Sequence, residues 1–288
     1  MAPPPPATMP LPQRLATVAQ TLQFAWFVGH LTLILSVVRY SLSWIRMNYY
    51  GRMAQFSYRL AFIAAMVTYG IVVYKTLRAR AKAGMKFSPQ VAFSLIADEN
   101  VQYFLLAFVW LLAPQYPIAL LPYSVYSIFH FATYTRSTVI PTIIPPTQAA
   151  PAAGASPSAK PQYTTHPIAD AIGSFVKEYY DTSMSVVSSL EIALWGRLFL
   201  SAILFQRRSW ILLVIYTAFL RARVNNSTHV QGSFARLEAR VDNLVGAQGT
   251  PPAARQVWDG IKGGARAFHS ATDLNKYANG AAVPKKTS

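Results

Sequence analysis

The sequence predicts an all-α polytopic membrane protein with short helical hairpins and C-terminal amphipathic helices. Two observations predict this class: long stretches without charge, and an excess of basic residues beside them. Of the 288 residues, 53% are hydrophobic and 12% are charged, about half of the roughly 25% that is typical of soluble proteins. Such a chain lacks the charged surface that keeps a soluble enzyme in solution. Because it contains no cysteine, disulfides, thiolate metal sites and cysteine nucleophiles are excluded.

The net charge of +16 is unevenly distributed. Residues 1–97 hold ten Lys or Arg and no acid, and residues 98–220 hold six of each sign. Residues 221–288 hold ten basic and four acidic residues. Basic segments beside apolar runs are typical of the cytosolic face of a membrane protein. We therefore expect these segments to meet a bilayer with anionic headgroups, and we expect no nucleic acid as a partner.

Composition divides the chain into five regions. Residues 1–14, which include six prolines, are predicted to be a disordered N-terminus. Residues 15–135 form a first membrane region of apolar helices with a basic cytosolic loop. A Pro/Ala-rich linker covers residues 136–167, and a second membrane region covers residues 168–224. Residues 225–288 form a basic cytosolic tail with amphipathic helices.

The first membrane region begins with two charge-free runs, residues 22–38 and 60–74. Their lengths are at or below the lower limit for a helix that crosses a hydrocarbon core of ~30 Å. The basic cluster after the second run places residues 75–97 in the cytosol. Residues 39–59 are also basic and acid-free, so two full crossings would put one basic segment on the luminal side. Either one run is a shallow insertion, or four Arg lie at the luminal interface.

The later apolar regions are interrupted. Residues 101–132 are broken by three prolines, and residues 192–220 by Gln206, Arg207 and Arg208. An Arg at the centre of the bilayer costs on the order of 2.5–3.5 kcal/mol, so an interfacial position is favoured. Both regions are therefore predicted to be helical hairpins that do not fully cross the membrane. Ordinary spans with functional charges inside are the alternative.

The tail is predicted to form two amphipathic helices, because its apolar residues recur with the helical period on either side of a Gly/Pro break. The predicted membrane-binding residues are apolar positions, Phe234, Leu237, Val241, Leu244, Val245, Val257, Trp258, Ile261 and Phe268, and basic positions, Arg236, Arg240, Lys262 and Arg266. Interfacial helices have this composition. The alternative is that both helices pack on the protein's own cytosolic face.

The sequence offers little for catalysis. The five histidines lack metal-ligand spacing, and no zinc-protease or phosphate-loop motif occurs. We therefore predict no catalytic residue, no metal site and no cofactor. Asp98 and Glu99 precede an apolar run, and His130 approaches them if the hairpin folds back. This arrangement supports an alternative function, a membrane-embedded transporter or lipid-modifying enzyme whose site would also use His30, Glu191 and Arg197. Acids before a helix are, however, more often stabilised by its dipole.

Several short motifs carry a family resemblance. The most specific is the segment His-Phe-Ala-Thr-Tyr at residues 130–134, and weaker matches extend over residues 11–246. The motif positions are Asp98, Glu99, Tyr103, Pro117, Pro122, His130, Thr133 and Tyr134. Together they resemble transmembrane protein 33 and its fungal pore-membrane relatives. The Pro/Ala linker is longer than in animal members, which suggests a fungal-type protein.

This resemblance implies a non-enzymatic, multi-pass protein of the endoplasmic reticulum membrane and nuclear envelope. It implies that the protein shapes or senses membrane curvature and supports nuclear pore complex assembly or distribution. The partners it implies are nucleoporins, reticulon-type proteins and a karyopherin import receptor. The import receptor has the weakest support, because only Lys285 and Lys286 form a basic motif at the end of the tail.

Overall fold

A computed structural model describes residues 5–84, 88–147 and 164–272. All regular secondary structure in these ranges is helical, which confirms the predicted class. The helices are α1 (Leu11–Ala19), α2 (Leu22–Ile45), α3 (Arg52–Lys82), α4 (Pro89–Ile96), α5 (Glu99–Leu112), α6 (Pro117–Tyr134), a π-helical turn (Thr135–Val139), α7 (Ile140–Ile143), α8 (Pro167–Ile203), α9 (Ser209–Asn226), α10 (Thr228–Gly246) and α11 (Pro252–Ala271).

The chain forms two compact units, and the boundary between them follows Val230. In the first unit, α2 packs on α3 and α6, α3 packs on α5, and α8 packs on α6 and α9. Within the described residues, α2, α3 and α8 are long and apolar enough to cross a membrane. This agrees with the predicted polytopic class. The helices α8 and α9 form a helical hairpin, and α5 and α6 are joined by side-chain contacts such as that between the rings of Tyr103 and Tyr123.

Contacts along the first unit show that successive long helices run antiparallel. Arg59 near the start of α3 donates to the carbonyl of Trp110 near the end of α5, at 3.0 Å. The ring of Tyr69, further along α3, stacks on Tyr103 near the start of α5. The ring of Trp110 also lies 5.8 Å from that of Tyr216 in α9, and the ring of Tyr103 lies 5.5 Å from that of Phe219 further along α9, so α9 is antiparallel to α5. The α2–α3 turn, the α5–α6 corner and the α8–α9 turn therefore lie at one end of this unit, which we call the turn end.

The opposite end of the first unit, which we call the terminal end, gathers the remaining connections. The Asn226 amide, at the end of α9, donates to the carbonyl of Ala97 just before α5, at 3.0 Å. The end of α3 also lies there, because α3 and α5 are antiparallel. The basic segment that follows Tyr74 and the last residues of α9 thus share the terminal end.

The core of the first unit is rich in aromatic residues. Its largest fully buried side chains include Trp110, Tyr58, Tyr103 and Tyr123. The tyrosine hydroxyls are hydrogen-bonded inside the bundle: Tyr123 donates to the carbonyl of Tyr103 at 2.9 Å, and Tyr58 accepts from the backbone N–H of Tyr116 at 3.0 Å. Because buried hydroxyls are costly without a partner, these bonds fix the positions of α3, α5 and α6.

The helices extend beyond the apolar runs that predict them. Residues 22–38 lie in a helix that continues to Ile45, and residues 60–74 lie in one that covers Arg52–Lys82. Residues 167–203 form one continuous helix, α8, which covers nearly all of the apolar arm that precedes Gln206. No proline interrupts these stretches, so backbone hydrogen bonding continues past the apolar residues.

Two predicted boundaries also shift. The helix α1 begins at Leu11, inside the segment predicted to be disordered to residue 14. The linker predicted from residue 136 is helical as far as Ile143. In α1, Pro12 lies in the first helical turn, where its missing N–H breaks no intrahelical bond. The helix α7, which contains Pro141, directly follows the π-helical turn. Residues 148–163 of the predicted linker lie outside the described residues.

Candidate functional site

The predicted membrane-binding residues lie on α10 and α11. On α11, Val257, Ile261 and Phe268 occupy one face and are 63%, 56% and 48% exposed. Leu237 and Leu244 on α10 are also exposed. Phe234, Val241, Val245 and Trp258 are half-buried. The second unit therefore presents apolar side chains at its surface, as interfacial helices do.

The opposite side of α11 faces α10. The Lys262 ammonium lies 2.8 Å from an Asp242 carboxylate oxygen, and the Trp258 indole N–H donates to the same oxygen at 2.6 Å. The Arg266 guanidinium donates to Glu238 at 3.3 Å. These contacts make α10 and α11 an antiparallel pair.

The pairing changes the roles expected for the basic residues. Hydrogen bonding to Lys262 lowers the pKa of Asp242, and hydrogen bonding to Asp242 raises the pKa of Lys262. Lys262 and Arg266, which are predicted to meet headgroups, also contact acids of α10, and the Arg266 side chain stays 76% exposed. Arg236 donates to Ser233 at 2.8 Å, and Arg240 is exposed. Of the four predicted headgroup-binding residues, Arg236, Arg240 and Arg266 are exposed, whereas Lys262 is half-buried.

A buried ionic cluster lies at the terminal end of the first unit. Arg223 in α9 is 3% exposed and contacts Glu99 at 2.6 Å and Glu191 at 3.4 Å. Glu191 in α8 is 1% exposed and also accepts a hydrogen bond from the hydroxyl of Tyr103. Tyr126 donates to Glu99 at 3.1 Å and accepts from Arg223 at 3.3 Å. The cluster joins α5, α6, α8 and α9.

The sequence predicts Glu191 only as part of the alternative transporter or enzyme site, and it does not predict Arg223 as a site residue. The sequence indicates a site at Glu191, because an ionisable residue beside a long apolar run marks a functional or structural site and needs a partner. The identity of that partner depends on the packing of α8 against α9, which residue spacing does not give.

The family-motif positions are divided among three structural roles. Asp98 caps α5, since its carboxylate accepts from the N–H of Asn100 at 2.8 Å. Glu99 and Tyr103 belong to the ionic cluster. Pro117 begins α6, and Pro122 lies inside it.

The most specific motif segment forms the contact between α2 and α6. The His130 ring lies 4.9 Å from the ring of Trp26 and 4.8 Å from that of His30. The Tyr134 ring stacks on Phe27 at 4.7 Å. Thr133 lines a cavity at the terminal end. These contacts explain the motif by packing.

The structure brings only part of the alternative catalytic set together. Glu99 and His130 line the same cavity, but Asp98 does not. The Glu99 carboxylate is bonded to Arg223 and Tyr126, and the His130 ring packs among aromatic side chains. In the described part of the chain, no three His, Asp or Glu side chains are placed to hold a metal ion.

Comparisons with known proteins give a consistent family. Residues 7–267 match the family model described as transmembrane protein 33/nucleoporin POM33. The chain is 64% identical to nucleoporin POM33 of Chaetomium thermophilum, over 100% of both chains. It is 29% identical to the pore membrane protein of 33 kDa of Saccharomyces cerevisiae, over 88% of this chain and 85% of the relative.

A further relative comes from fission yeast. The chain is 31% identical to tetra-spanning protein 1 of Schizosaccharomyces pombe, over 88% of this chain and 86% of the relative. No solved structure matches the chain.

Proposed function

We propose that this chain, which belongs to the transmembrane protein 33/nucleoporin POM33 family, is a non-enzymatic protein that senses or shapes curved membrane at nuclear pores. Its family is tied to nuclear pore complexes, and three of its helices are long and apolar enough to cross a membrane. The curvature role and the absence of catalysis are the parts that we propose.

The exposed apolar face of α11 carries this proposal. Val257, Ile261 and Phe268 would enter the acyl region, while the charged side of the helix stays at headgroup level. A helix that enters only one leaflet is bound best where curvature opens gaps between headgroups. The pore membrane is strongly curved, so such a helix would accumulate there.

The arrangement of the first unit supports a cytosolic tail. The basic segment after Tyr74 and the last turn of α9 lie at the same end of this unit, as the Asn226–Ala97 hydrogen bond requires. Basic flanks favour the cytosolic side. We therefore place the terminal end in the cytosol and the chain in the endoplasmic reticulum membrane and nuclear envelope.

The turn end carries residues that suit a membrane interface. Phe205 and Trp210 are exposed on either side of Arg207 and Arg208 in the α8–α9 turn. Apolar rings beside guanidinium groups are typical of a membrane interface. We propose that this hairpin ends at a membrane interface.

The proposed partners follow from the family. The names of two relatives, nucleoporin POM33 and pore membrane protein of 33 kDa, describe proteins of the pore. We propose nucleoporins, reticulon-type proteins and a karyopherin import receptor as partners of this chain. Anionic lipid headgroups are the proposed non-protein partner of the basic segments.

A single substitution tests the function in fungal cells that carry the full-length chain. Ile261→Asp places a charge in the apolar face of α11, whereas Gln256→Asp places the same charge at an exposed position outside that face. We expect Ile261→Asp to make pore distribution along the envelope uneven, and Gln256→Asp to leave it normal. Normal pore distribution with Ile261→Asp, at unchanged protein level, would refute the proposed role of α11.

A further inference from the structure

A cavity of about 530 Å³ lies among α5, α6, α8 and the end of α9. Its wall combines the Glu99 carboxylate and the Arg223 guanidinium with the rings of Tyr126, Phe129 and Tyr180. A cavity of this volume accommodates a small ligand or a lipid headgroup. The pore role proposed above does not use it.

The charges around the cavity favour a cation. The Arg223 guanidinium contacts Glu99 at 2.6 Å, Glu191 at 3.4 Å and the Tyr126 hydroxyl at 3.3 Å. Its donors are therefore directed at protein acceptors. Glu99 is the acid that lines the cavity, and it is 45% exposed, so its carboxylate can attract a cation there and repel an anion.

The aromatic side chains form a corner in the cavity wall. The rings of Phe129 and Tyr180 have centroids 5.6 Å apart and are inclined at 84°. Ring faces attract cations through their quadrupoles, and aromatic cages built from such faces recognise quaternary ammonium groups. A quaternary ammonium has no N–H to donate, so it is selected by ring faces rather than by hydrogen-bond acceptors.

We propose that this cavity binds a quaternary ammonium group, with Phe129 and Tyr180 as its aromatic walls and Glu99 as its counter-charge. The choline headgroup of a phospholipid is the source that the surroundings favour. The cavity borders α8, which is long and apolar enough to cross the membrane. It also lies where α5 begins and α9 ends, at the level where charged residues replace apolar ones.

Spin-labelled lipids test the proposal on the full-length protein. The protein is purified in a sugar-based detergent and reconstituted with traces of spin-labelled phosphatidylcholine or phosphatidylglycerol. Electron paramagnetic resonance then gives the immobilised fraction of each lipid. We expect the choline lipid to be preferred, and we expect Tyr180→Leu and Glu99→Gln each to weaken this preference by about 3- to 30-fold.

The neighbouring tyrosine provides a matched control. Tyr179 is 48% exposed and Tyr180 is 46% exposed, but only Tyr180 lines the cavity. Tyr179→Leu should therefore keep the preference. Equal immobilisation of the two lipids, or equal effects of Tyr179→Leu and Tyr180→Leu, would overturn the site.

Soluble glycerophosphocholine identifies the source of the ammonium group. If the source is a lipid, millimolar-range competitor should displace little of the spin-labelled choline lipid. If glycerophosphocholine displaces it fully, the lipid assignment is overturned, whereas ammonium recognition is supported. Circular dichroism and thermal unfolding of each variant verify that the bundle is intact. Because the site and α11 belong to different units of the chain, loss of choline preference leaves the pore-distribution phenotype unchanged.

Discussion

The buried contact between Arg223 and Glu191 should contribute strongly to the stability of the first unit. Arg223→Leu removes the guanidinium that contacts Glu191 and Glu99. Glu191, which is 1% exposed, would keep only the hydroxyl of Tyr103 as a donor. Glu99 is half-exposed and can be hydrated, so the cost arises mainly at Glu191.

The expected cost follows from the burial of both partners. Removing one member of a buried ion pair typically costs about 3–5 kcal/mol, because the remaining charge is left without compensation. For a protein of this size, each kcal/mol lowers the melting temperature by about 2–4 °C. We therefore expect Arg223→Leu to lower the melting temperature by roughly 6–20 °C. Arg223→Leu combined with Glu191→Gln should recover much of the loss, since the amide carries no charge.

Thermal unfolding of the full-length protein in detergent, followed by circular dichroism, measures these differences. Arg78→Leu removes the same charge from an exposed position and should change the melting temperature little. A change in melting temperature that is as small for Arg223→Leu as for Arg78→Leu would refute the predicted role of the buried ion pair. A double variant that is no more stable than Arg223→Leu alone would also refute it, because an uncompensated Glu191 charge would then not be the cause of the lost stability.

Three further predictions concern other parts of the chain. Gly29→Ala should destabilise the α2–α3 contact by about 1–3 kcal/mol in the same unfolding assay, because the added Cβ would lie 2.5 Å from the Thr68 methyl. An unchanged melting temperature would contradict that close approach of the two helices. Arg207→Leu with Arg208→Leu should join the two arms into one apolar run, so that a glycosylation acceptor engineered far down the tail becomes modified; an unmodified acceptor would refute the hairpin interpretation. The Asp242–Lys262 contact should persist above the ordinary Asp pKa of about 3.9 and weaken as pH falls through the lowered pKa of Asp242. Spin labels at Asn243→Cys and Gln256→Cys measure the distance between α10 and α11, which should increase when the contact weakens. A distance that stays constant down to the lowest pH would contradict this prediction.

Apolar runs and basic flanks were sufficient to predict the helical class, because each run must satisfy its backbone hydrogen bonds internally in lipid. They did not predict where helices end. The α3 helix starts eight residues before its apolar run, at Arg52. Arg59 falls inside this extension, and its charge is satisfied by carbonyls at the end of α5, at 3.0 Å for Trp110 and 2.8 Å for Ala113. Such a contact depends on tertiary packing.

The candidate sites were predictable to different degrees. The apolar period of the tail gave the face of α11 directly, because one helix contains the whole pattern. The pairing of Lys262 with Asp242 spans 20 positions, and that of Arg223 with Glu191 spans 32. Neither separation falls within one helical turn, so both depend on how two helices meet. The choline cavity depends in the same way on four helices.

Insertion of α11 into curved membrane can be tested directly with one fluorescent probe. The chain has no cysteine, so Ile261→Cys gives a unique site for an environment-sensitive dye, and Gln256→Cys gives its matched control. The full-length protein is reconstituted into small and large anionic liposomes. If α11 inserts into curved membrane, the emission of the dye at position 261 should be blue-shifted and brighter in small liposomes. The emission of the dye at position 256 should not depend on liposome size. The same emission from both positions, in small and in large liposomes, would contradict insertion of α11.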